Sequence, residues 1–587
     1  MKRIAYIVFA ALLFSACDEF LDYEPLTEKS FETYPANEAE VNQVLAGIYT
    51  SMTNEQRLGD QCYFFFMEVA SDEKIGGGGN NDLKALSAES FMYSDPEMLA
   101  PNWQTTYMGI HRANFALEKI PAMTDDVLEP AKKNQALGEA YFLRAFLYHR
   151  LATLYGRVPL KISTEVQDLG AAEPDAIFAQ IASDLKAAIE LLPATPYTST
   201  SEGHATRWAA QAMMARAWLF YTGFYQKTEL PLAEGGSISK DQVVTWLEEL
   251  VEKSEHRLVD DFHQLWPYTN SLTINDYDYM VEYSQESGKP LNSLIYASNE
   301  GARNPETIFA LQFNVFAGWD IDRGYANTVM LFSGLRGQQK AFPFAGGWGQ
   351  GNSVPKHIWD EWEADDPRRT ASVIDIEAEF GIKTGEDTPG YERGQWDFVL
   401  ESNYWGKKYN GVVHYTDEAK TSVSNDYGVE MYGNVDGDQL SHTDDQVYIR
   451  YADVLLMLAE LTEDASYINE VRARAGVDPI AGYSLEALQK ERRFELAFEG
   501  LRYNDMRRWG AEYAKAALEK QNGSPVFNYG SASAFDVTKL NPKGYSTRYD
   551  ETQGFFPIPQ AQINLSKGLL EQVPGWTTAD LFKEFAQ

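Results

Sequence analysis

The chain has 587 residues, of which 44% are hydrophobic and 23% are charged, and its formal net charge is -36. A surface this acidic excludes nucleic acid as a partner, because it offers no excess of cations to neutralise phosphates. The length excludes a small disulfide-stapled scaffold and allows either several domains or one large fold with a sizeable core.

Residues 1–16 are predicted to be a secretory signal peptide. Two basic residues precede an apolar run from Ile4 to Phe14, which is too short to span a membrane. Small residues then lead to Cys17, and this placement resembles a bacterial lipobox, in which the cysteine is lipidated. Residues 17–37 are therefore interpreted as a lipidated tether. Acyl chains on Cys17 would anchor the chain to a membrane, because each buried methylene contributes about 0.8 kcal/mol of affinity. Cys62 is then the only other cysteine, so no internal disulfide is expected.

Residues 38–260 are predicted to form an α-helical region. Apolar residues recur there every three or four positions, which places them on one face of a helix. The predicted helices are Glu38–Thr50, Asn102–Ile120, Asn134–Tyr155, Asp175–Leu192 with Asp175 as its N-cap, Thr206–Phe224 and Gln242–Ser254. Helices in antiparallel succession favour tetratricopeptide-like hairpins, although no repeat period is visible.

A run of four glycines, Gly76–Gly79, interrupts this region after its first helix. Such a run disfavours regular structure and predicts a mobile loop. It is not a phosphate-binding loop, because no Gly-Lys-Ser/Thr sequence follows it.

Residues 261–446 are predicted to be a loop-rich aromatic insertion. Tryptophan, tyrosine, glycine and asparagine are dense here, and helical periodicity fades. The one clear strand is Thr307–Phe313. Trp359 and Trp362 have helical spacing, so they are expected to pack internally.

Residues 447–587 are predicted to be a C-terminal helical region. Its expected helices are Tyr448–Glu460, Tyr467–Arg474 with Gly476 as its cap, and a helix that begins at Ser484. The proline-rich tail that starts at Phe555 is expected to fold back over the bundle.

The last of these helices is predicted to carry the signature stretch, Gln489–Gly510 (QKERRFELAFEGLRYNDMRRWG). An apolar stripe and a row of carboxylates follow helical spacing in it: Phe494, Phe498 and Leu501, and Glu491, Glu495 and Glu499. Carboxylates one turn apart suggest acid/base chemistry, but nearby arginines pair carboxylates through their forked donors. We therefore predict a structural Arg/Glu network here.

Several blocks match one known family in order along the chain. They are GEAYFLRAFLYHRLATLYGRVPL, GHATRWAAQAMMARAWLFYTGFY, NPETIFALQF, DQVYIRYADVLLMLAE, YINEVRARAG, ERRFELAFEGLRYNDMRRWG and FFPIPQAQI. With these blocks the chain resembles the SusD/RagB family of outer-membrane glycan-binding lipoproteins, from the Cys17 lipobox almost to the C-terminus. No block is recognised in the Trp266–Trp362 insertion or in Gly385–Gln446.

The resemblance implies a mainly α fold, in which tetratricopeptide-like helix pairs form a scaffold for long loops with few strands. It implies oligosaccharide or polysaccharide ligands, no catalytic activity and no required cofactor. It also implies a SusC-like TonB-dependent transporter as partner, over whose mouth the lipoprotein lies as a lid. Asp18-Glu19 resembles the acidic signal for surface display in these bacteria, so the implied location is the cell-surface side of the outer membrane.

Ligand contacts are expected from exposed rings and polar loop side chains, because sugars present apolar faces and hydroxyl edges. Trp319 and Trp348 are the first candidates, since glycines flank them and leave no helix or strand to pack into. Further candidates in the insertion are Tyr325, Tyr283, Trp266 and Arg336. Asp72, Asn80 and Asn81 are added because the resemblance implies that the segment after the first helix contributes to the site. For every candidate, local packing or simple solvation is the competing explanation.

Metal binding receives little support from the sequence. Asn434–Asp445 has alternating oxygen ligands that could hold a structural calcium ion, but it lacks the frame and the bidentate Glu of an EF-hand. The histidines are scattered, which argues against zinc, so no metal site is assigned.

The favoured function is a cell-surface lipoprotein that captures oligosaccharides and delivers them to a TonB-dependent transporter. Two alternatives stay open. One is a secreted glycoside hydrolase, which would need two carboxylates facing each other in a cleft. The other is a surface lipoprotein that captures peptides or other nutrients.

Overall fold

The structure is a computed structural model that describes residues 33–576 except 57–60, 77–97, 201, 299–301, 314–326, 328–330, 332–333, 335–343, 345–348, 350, 385–389, 394–400, 416–422, 427–443, 528–534 and 537–542. The fold is mainly α, as predicted, and its strands are short. Within the described residues, no helix combines the length and the apolar character needed to cross a membrane.

The helices are α1 (Glu38–Gln56), α2 (Tyr63–Val69), α3 (Ala100–Lys119), α4 (Pro130–Tyr155), α5 (Pro174–Leu191), α6 (Arg207–Phe224), α7 (Lys240–Lys253), α8 (Asp278–Ser287), α9 (Lys356–Glu361), α10 (Pro367–Ser372), α11 (Ile376–Phe380), α12 (Tyr451–Thr462), α13 (Ala465–Ala475), α14 (Leu485–Leu496), α15 (Arg502–Arg508), α16 (Ala511–Glu519), α17 (Tyr545–Thr552) and α18 (Gln560–Leu565). The strands are β1 (Leu230–Pro231), β2 (Ser237–Ile238), β3 (Thr307–Leu311), β4 (Ser353–Val354), β5 (Val373–Asp375), β6 (Tyr404–Gly406), β7 (Val413–Tyr415), β8 (Val423–Asp426), β9 (Gln446–Arg450), β10 (Pro525–Val526) and β11 (Phe535–Asp536).

The N-terminal scaffold is built from consecutive helices that pack on one another, α3 on α4, α4 on α5 and α5 on α6. Their predicted apolar stripes are buried, for example Leu143 and Leu147 of α4 and Leu185 of α5. Each such side chain stabilises the fold by roughly 1.5–3 kcal/mol. The cap role of Asp175 is wrong, because α5 begins at Pro174. The Asp175 carboxylate instead accepts a hydrogen bond from the hydroxyl of Tyr221 at 2.8 Å.

A strand replaces the start of the helix that was predicted from Tyr448. Residues 446–450 form β9, which pairs with β3 in antiparallel register and places Ile449 opposite Phe309. The helix α12 begins only at Tyr451. Pairing with β3 prevails over the helical pattern because it satisfies the backbone groups of a segment distant in sequence. This pair connects the insertion to the C-terminal helices.

The signature stretch is not one helix, contrary to the prediction. Its first helix, α14, follows the expected cap Ser484 and ends at Leu496. Phe498 and Gly500 then adopt positive φ angles of 65° and 72°, and α15 starts at Arg502. We call residues 497–501 the helix break. It removes Phe498 from the helical stripe, since a left-handed residue cannot continue an α-helix.

A small apolar cluster forms next to the helix break. Phe494 and Phe498 pack there against Trp362, whose ring stacks on Phe494 with a centroid distance of 4.6 Å. Trp359 stacks on Tyr404 at 5.0 Å. The predicted packing roles of both tryptophans are therefore confirmed.

The C-terminal tail folds back over the bundle, as predicted. The backbone N–H of Phe556 donates to the carbonyl oxygen of Leu154 at 2.9 Å, and the indole of Trp576 donates to Phe555 at 2.8 Å. These contacts fix the tail against the end of α4.

Candidate ligand-binding site

Two predicted ligand-contacting segments leave the scaffold at the same place. The backbone N–H of Ile75 donates to the carbonyl oxygen of Ser353 at 2.7 Å, and the two residues form an antiparallel bridge. Ile75 directly precedes the glycine run, and Ser353 follows Trp348 closely in the sequence. We call this bridge the loop join. It holds the end of one segment and the start of the other side by side.

The loop join rests on a tightly packed base. Gly351 has φ of 61°, and a Cβ there would approach a side-chain carbon of Val69 to 2.8 Å. The Asn352 amide donates to the carbonyl oxygen of Gly406 at 3.1 Å, and its side-chain oxygen accepts from Lys74. This packing fixes the base on β6, so the exits of both segments have defined positions.

Asp72 is an internal anchor, and its prediction as a ligand contact is wrong. The side chain is fully buried, 2.8 Å from the guanidinium of Arg502 and 3.0 Å from that of Arg493. Burial alone would raise the pKa of Asp72, but the two guanidiniums outweigh burial and hold the pKa well below its ordinary value. Asp72 is therefore ionised and points into the scaffold rather than toward a ligand.

Two neighbouring carboxyls hold the helix break. Glu68 accepts from the backbone N–H of Gly500 at 2.6 Å, and Glu73 accepts from that of Phe498 at 3.0 Å. Burial raises the pKa of Glu73 to about 8 and also raises the pKa of Glu68, while it lowers the pKa of Lys74. The segment that leads into the glycine run is thus locked to the signature stretch.

Glu495 lies at the centre of a buried ion-pair network. Its carboxylate is 3.0 Å from Arg368 and 2.6 Å from Arg450, and it also pairs with Arg474. Burial alone would raise the pKa of Glu495, but these guanidiniums hold the pKa far below its ordinary value. The members of this network, the Glu495 network, are Glu306, Arg368, Arg450, Arg472, Arg474, Glu491, Glu495 and Glu499. The predicted structural role of the glutamate row is confirmed.

Trp266 is buried and packs internally, so its prediction as a ligand contact is wrong, whereas Tyr283 is partly exposed and its prediction stays untested. Trp266 is 3% exposed, and Lys408 lies 4.5 Å from the centre of its ring. The hydroxyl of Tyr283 donates to Asp261 at 3.0 Å, and its ring lies 4.0 Å from that of His263. In these contacts both rings pack against other residues of the insertion, which stabilises its own fold.

The remaining predicted residues lie outside the described part of the chain. They are the ligand-contact candidates Trp319, Trp348, Tyr325, Arg336, Asn80 and Asn81, the lipidation site Cys17, and residues 434–443 of the calcium candidate. These assignments stay predictions. Among the residues that the structure describes, no cluster of three or more His, Cys, Asp or Glu side chains could hold a metal ion.

An open cleft of about 290 Å³ lies beside β3, and we call it the β3 cleft. Tyr197 and His256 stack in its wall with a centroid distance of 4.5 Å and an interplanar angle of 18°. Arg303 pairs there with Glu202 at 3.0 Å. Burial, together with the nearby carboxylates, raises the pKa of Asp445 in the same cleft to about 7. Rings and polar groups therefore meet in one concave surface, as a sugar site requires.

Sequence reasoning missed the β3 cleft, because its residues come from separate parts of the chain. Tyr197 and His256 follow two different helices, and neither falls in an aromatic-rich stretch. One feature of the sequence could have pointed to the β3 cleft, namely its closeness to the predicted ligand contact Trp319. The cleft includes Gln312 and Phe313, which directly precede residues 314–326 and thus the segment of Trp319.

Two family models match the chain. One, described as the SusD family, matches residues 296–576, and the other, described as starch-binding associating with outer membrane, matches residues 19–219. A SusD-like protein of Formosa agariphila is 25% identical over 554 residues, which cover 87% of this chain and 90% of that protein. A SusD-like protein of Bacteroides ovatus is 22% identical and covers 86% and 82% of the two chains.

Solved structures share the fold. A laminarin-binding SusD-like protein matches with a TM-score of 0.62 and 22% identity, over 92% of this chain and 99% of that one. Surface glycan-binding protein A from Bacteroides thetaiotaomicron, in complex with laminarihexaose, matches with a TM-score of 0.63 and 17% identity over the same shares. The architecture is therefore common to proteins with few identical residues.

Proposed function

Because the chain belongs to the SusD family, we propose that it is a lipid-anchored, cell-surface protein that binds glycans and delivers them to a TonB-dependent outer-membrane transporter. It acts by affinity and by gating the transporter, and it catalyses no reaction. Relatives with this fold are described as laminarin-binding and glycan-binding proteins, which supports a glycan as the ligand. The description of one matching family model, associating with the outer membrane, supports the location.

The loop join is the observation that carries the proposal. A bridge between Ile75 and Ser353 fixes the exits of the segments that contain Asn80, Asn81 and Trp348. Loops on a rigid base are a common arrangement for binding sites, because the scaffold bears the stability while the loops supply the contacts. Trp319 and Trp348 are proposed to stack on sugar rings, with the asparagines bonding to hydroxyls.

Glycan binding is tested by calorimetry on the soluble mature chain, with laminarihexaose first and then a panel of other oligosaccharides and peptides. Trp319→Ala and Trp348→Ala are each expected to weaken binding at least about tenfold, equivalent to about 1.4 kcal/mol. Trp359→Phe is the control, since Trp359 stacks on Tyr404 and has a packing role. A protein that binds no glycan contradicts the proposed ligand class, whereas unchanged affinity in both variants rejects only these two contacts.

The same samples test the hydrolase alternative. Asp445 is the carboxyl that a hydrolase would use, because it lies in the β3 cleft with its pKa raised to about 7. Incubation with the bound glycan is expected to release no new reducing ends, from either the wild type or Asp445→Asn. Turnover by the wild type that is lost in Asp445→Asn would establish hydrolysis and overturn the binding-only function.

Anchoring and delivery need the native membrane. Cys17→Ala is expected to move the protein from the outer-membrane fraction to the soluble fraction. The tagged wild type is expected to co-purify with a TonB-dependent transporter, identified by mass spectrometry. Recovery of the anchored protein without any such transporter would contradict delivery, while leaving glycan binding intact.

A further inference from the structure

A second cleft, of about 560 Å³, lies between α3, residues 159–169 and α18, and we call it the α3 cleft. Large apolar side chains line it although they are open to solvent. Met108 is 37% exposed, Val166 97%, Leu565 71% and Leu569 46%. Exposed apolar side chains gathered in one concave surface indicate that another chain segment or partner covers them.

The N-terminal end of the described chain lies on the helix that forms this cleft. The ring of Tyr34 stacks on Phe115 of α3 with a centroid distance of 6.2 Å. Phe115 shares one face of α3 with His111 and Met108, because these residues are one and two turns apart. Both His111 and Met108 line the α3 cleft. The chain therefore enters the described fold on the same face that leads to the cleft.

The segment that precedes Tyr34 has the length and composition to cover the cleft. Its sequence, DEFLDYEPLTEKSFET, contains Phe20, Leu21, Tyr23 and Leu26. Met108 and Phe115 are about 10 Å apart along the helix. An extended chain from Leu26 to Tyr34 spans up to roughly 27 Å. The apolar residues of the segment can therefore reach the stretch of the cleft that begins at Met108.

The matching family model gives an independent indication. It begins at residue 19, well before the first described residue. A spacer that only links an anchor to a domain needs length and polarity, not a particular order of residues. The match includes residues 19–31, so this segment is part of the region that resembles the family model.

We propose that residues 19–31 dock along α3 and place their apolar side chains in the α3 cleft. The docked segment buries the exposed faces of Met108, Leu565 and Leu569. It also brings Cys17 close to this surface. Combined with the lipid anchor of the proposed function, docking would turn the α3 cleft toward the membrane and set the orientation of the ligand-binding face.

The test uses the soluble mature chain with Cys17→Ser and follows hydrogen exchange in peptides that cover residues 19–32. The wild type is expected to show slowed exchange there. The double variant Leu565→Asp/Leu569→Asp is expected to speed that exchange about tenfold or more, while the helices keep their protection. Val127→Asp/Leu485→Asp is the matched control, because these residues are 41% and 46% exposed outside the cleft. Unprotected exchange in the wild type would overturn the proposal.

A cross-link provides a second measurement that does not depend on destabilising variants. Leu26→Cys with Leu569→Cys is expected to form a disulfide on mild oxidation, whereas Leu26→Cys with Leu485→Cys is not. Equal cross-linking of both pairs, or of neither, would overturn docking. Cleft variants that change the sedimentation of the protein but leave the exchange of residues 19–32 unaltered would show that a second copy covers the cleft instead. Calorimetry with laminarihexaose is separate from these readouts, so failure of docking and failure of glycan binding are distinguishable.

Discussion

The α4–α5 helix pair and the Glu495 network are both buried, but they differ in their main source of stability. Apolar side chains dominate the helix pair, beside one buried ion pair between Arg144 and Asp184, whereas charged side chains make up the network. Leu147 and Leu185 are removed from water in the helix pair, an effect that is graded with area and insensitive to pH. The network buries carboxylates and guanidiniums that are paired with one another. An unpaired ion in the interior would destabilise the fold, because its lost hydration would not be compensated. The apolar contacts of the helix pair therefore tolerate gradual change, whereas the network is stable only when it is complete.

The two regions also differ in what they connect. The helix pair joins neighbours in the sequence, α4 and α5. The network joins Glu306, Arg368 and Arg450 to α14, and so ties the insertion to the C-terminal helices. The buried charges of the network thus connect segments that are distant in the sequence, whereas the helix pair connects segments that are close in it.

The largest expected effect comes from Glu495→Ala, which leaves Arg368, Arg450 and Arg474 facing one another without their shared carboxylate. We expect a loss of about 3–5 kcal/mol in the free energy of unfolding, measured by denaturant titration. Glycan affinity of the folded fraction should be unchanged. Glu512→Ala is the control, because that carboxylate is 91% exposed in its ion pair. A normal melting temperature with lost binding would reverse the assignment.

Leu147→Ala tests the helix pair. It removes a fully buried side chain and is expected to cost about 3 kcal/mol. The melting temperature of the variant should lie below that of the wild type by the same amount at pH 5 and at pH 8, because the substitution removes no titrating group. Leu485→Ala, at a position that is 46% exposed, should cost less than about 0.5 kcal/mol. A strong pH dependence of the Leu147→Ala effect would break the comparison between the two regions.

Glu73→Gln tests the charge next to the helix break. The folded pKa of Glu73, about 8, lies above its ordinary value of 4.5, so its stabilising effect is complete below pH 4.5 and is lost as the pH rises through 8. The free energy of unfolding of the variant should equal that of the wild type near pH 4.5 and exceed it by about 1–3 kcal/mol at pH 8.5. Melting temperatures at both pH values check this.

The adjacent variant Asp72→Asn is the opposing control. The folded pKa of Asp72 is lowered, so its stabilising effect is present above pH 3.8 and is lost as the pH falls below that value. Asp72→Asn should therefore destabilise the protein at pH 7. If both variants shift stability in the same direction at pH 8.5, the distinction between a protonated and an ionised neighbour is wrong.

The smallest expected effect is that of His204→Gln at the edge of the scaffold. A hydrogen bond from His204 to Glu139, at 2.9 Å, raises the pKa of the imidazole. Its stabilising effect is complete below pH 6.5 and is lost as the pH rises through the raised pKa. The free energy of unfolding of the wild type should exceed that of the variant by more at pH 6 than at pH 9. The difference should stay below about 1 kcal/mol, because the His204 side chain is 45% exposed. A pH-independent difference would contradict an ionic contribution.

The scaffold could be predicted from the sequence because its information is local. Leucine spacing located α4, and the caps Ser484 and Gly476 located the start of α14 and the end of α13. The helix break could not be predicted. Phe498 is held in its left-handed conformation partly by Glu73, which lies 425 residues away in the sequence. A pattern of neighbours contains no sign of such a contact.

The candidate site also has features that local sequence can predict and features that depend on distant contacts. Aromatic density predicted an insertion that is poor in helix, but it could not show which rings face inward. Trp266 and Tyr283 pack against Lys408 and His263, and these partners come from the three-dimensional fold. Asp72 was misassigned for a related reason, since its partners Arg493 and Arg502 belong to the opposite end of the chain.

The loop join has a consequence for how such a protein can diversify. Its hydrogen bond runs between main-chain atoms of Ile75 and Ser353, so it is indifferent to the side chains of the segments that leave it. Those segments can be exchanged, lengthened or rewritten while the base that presents them is inherited intact. Replacing a few dozen residues can therefore change the chemistry that these segments present, without a change in the fold that holds their ends.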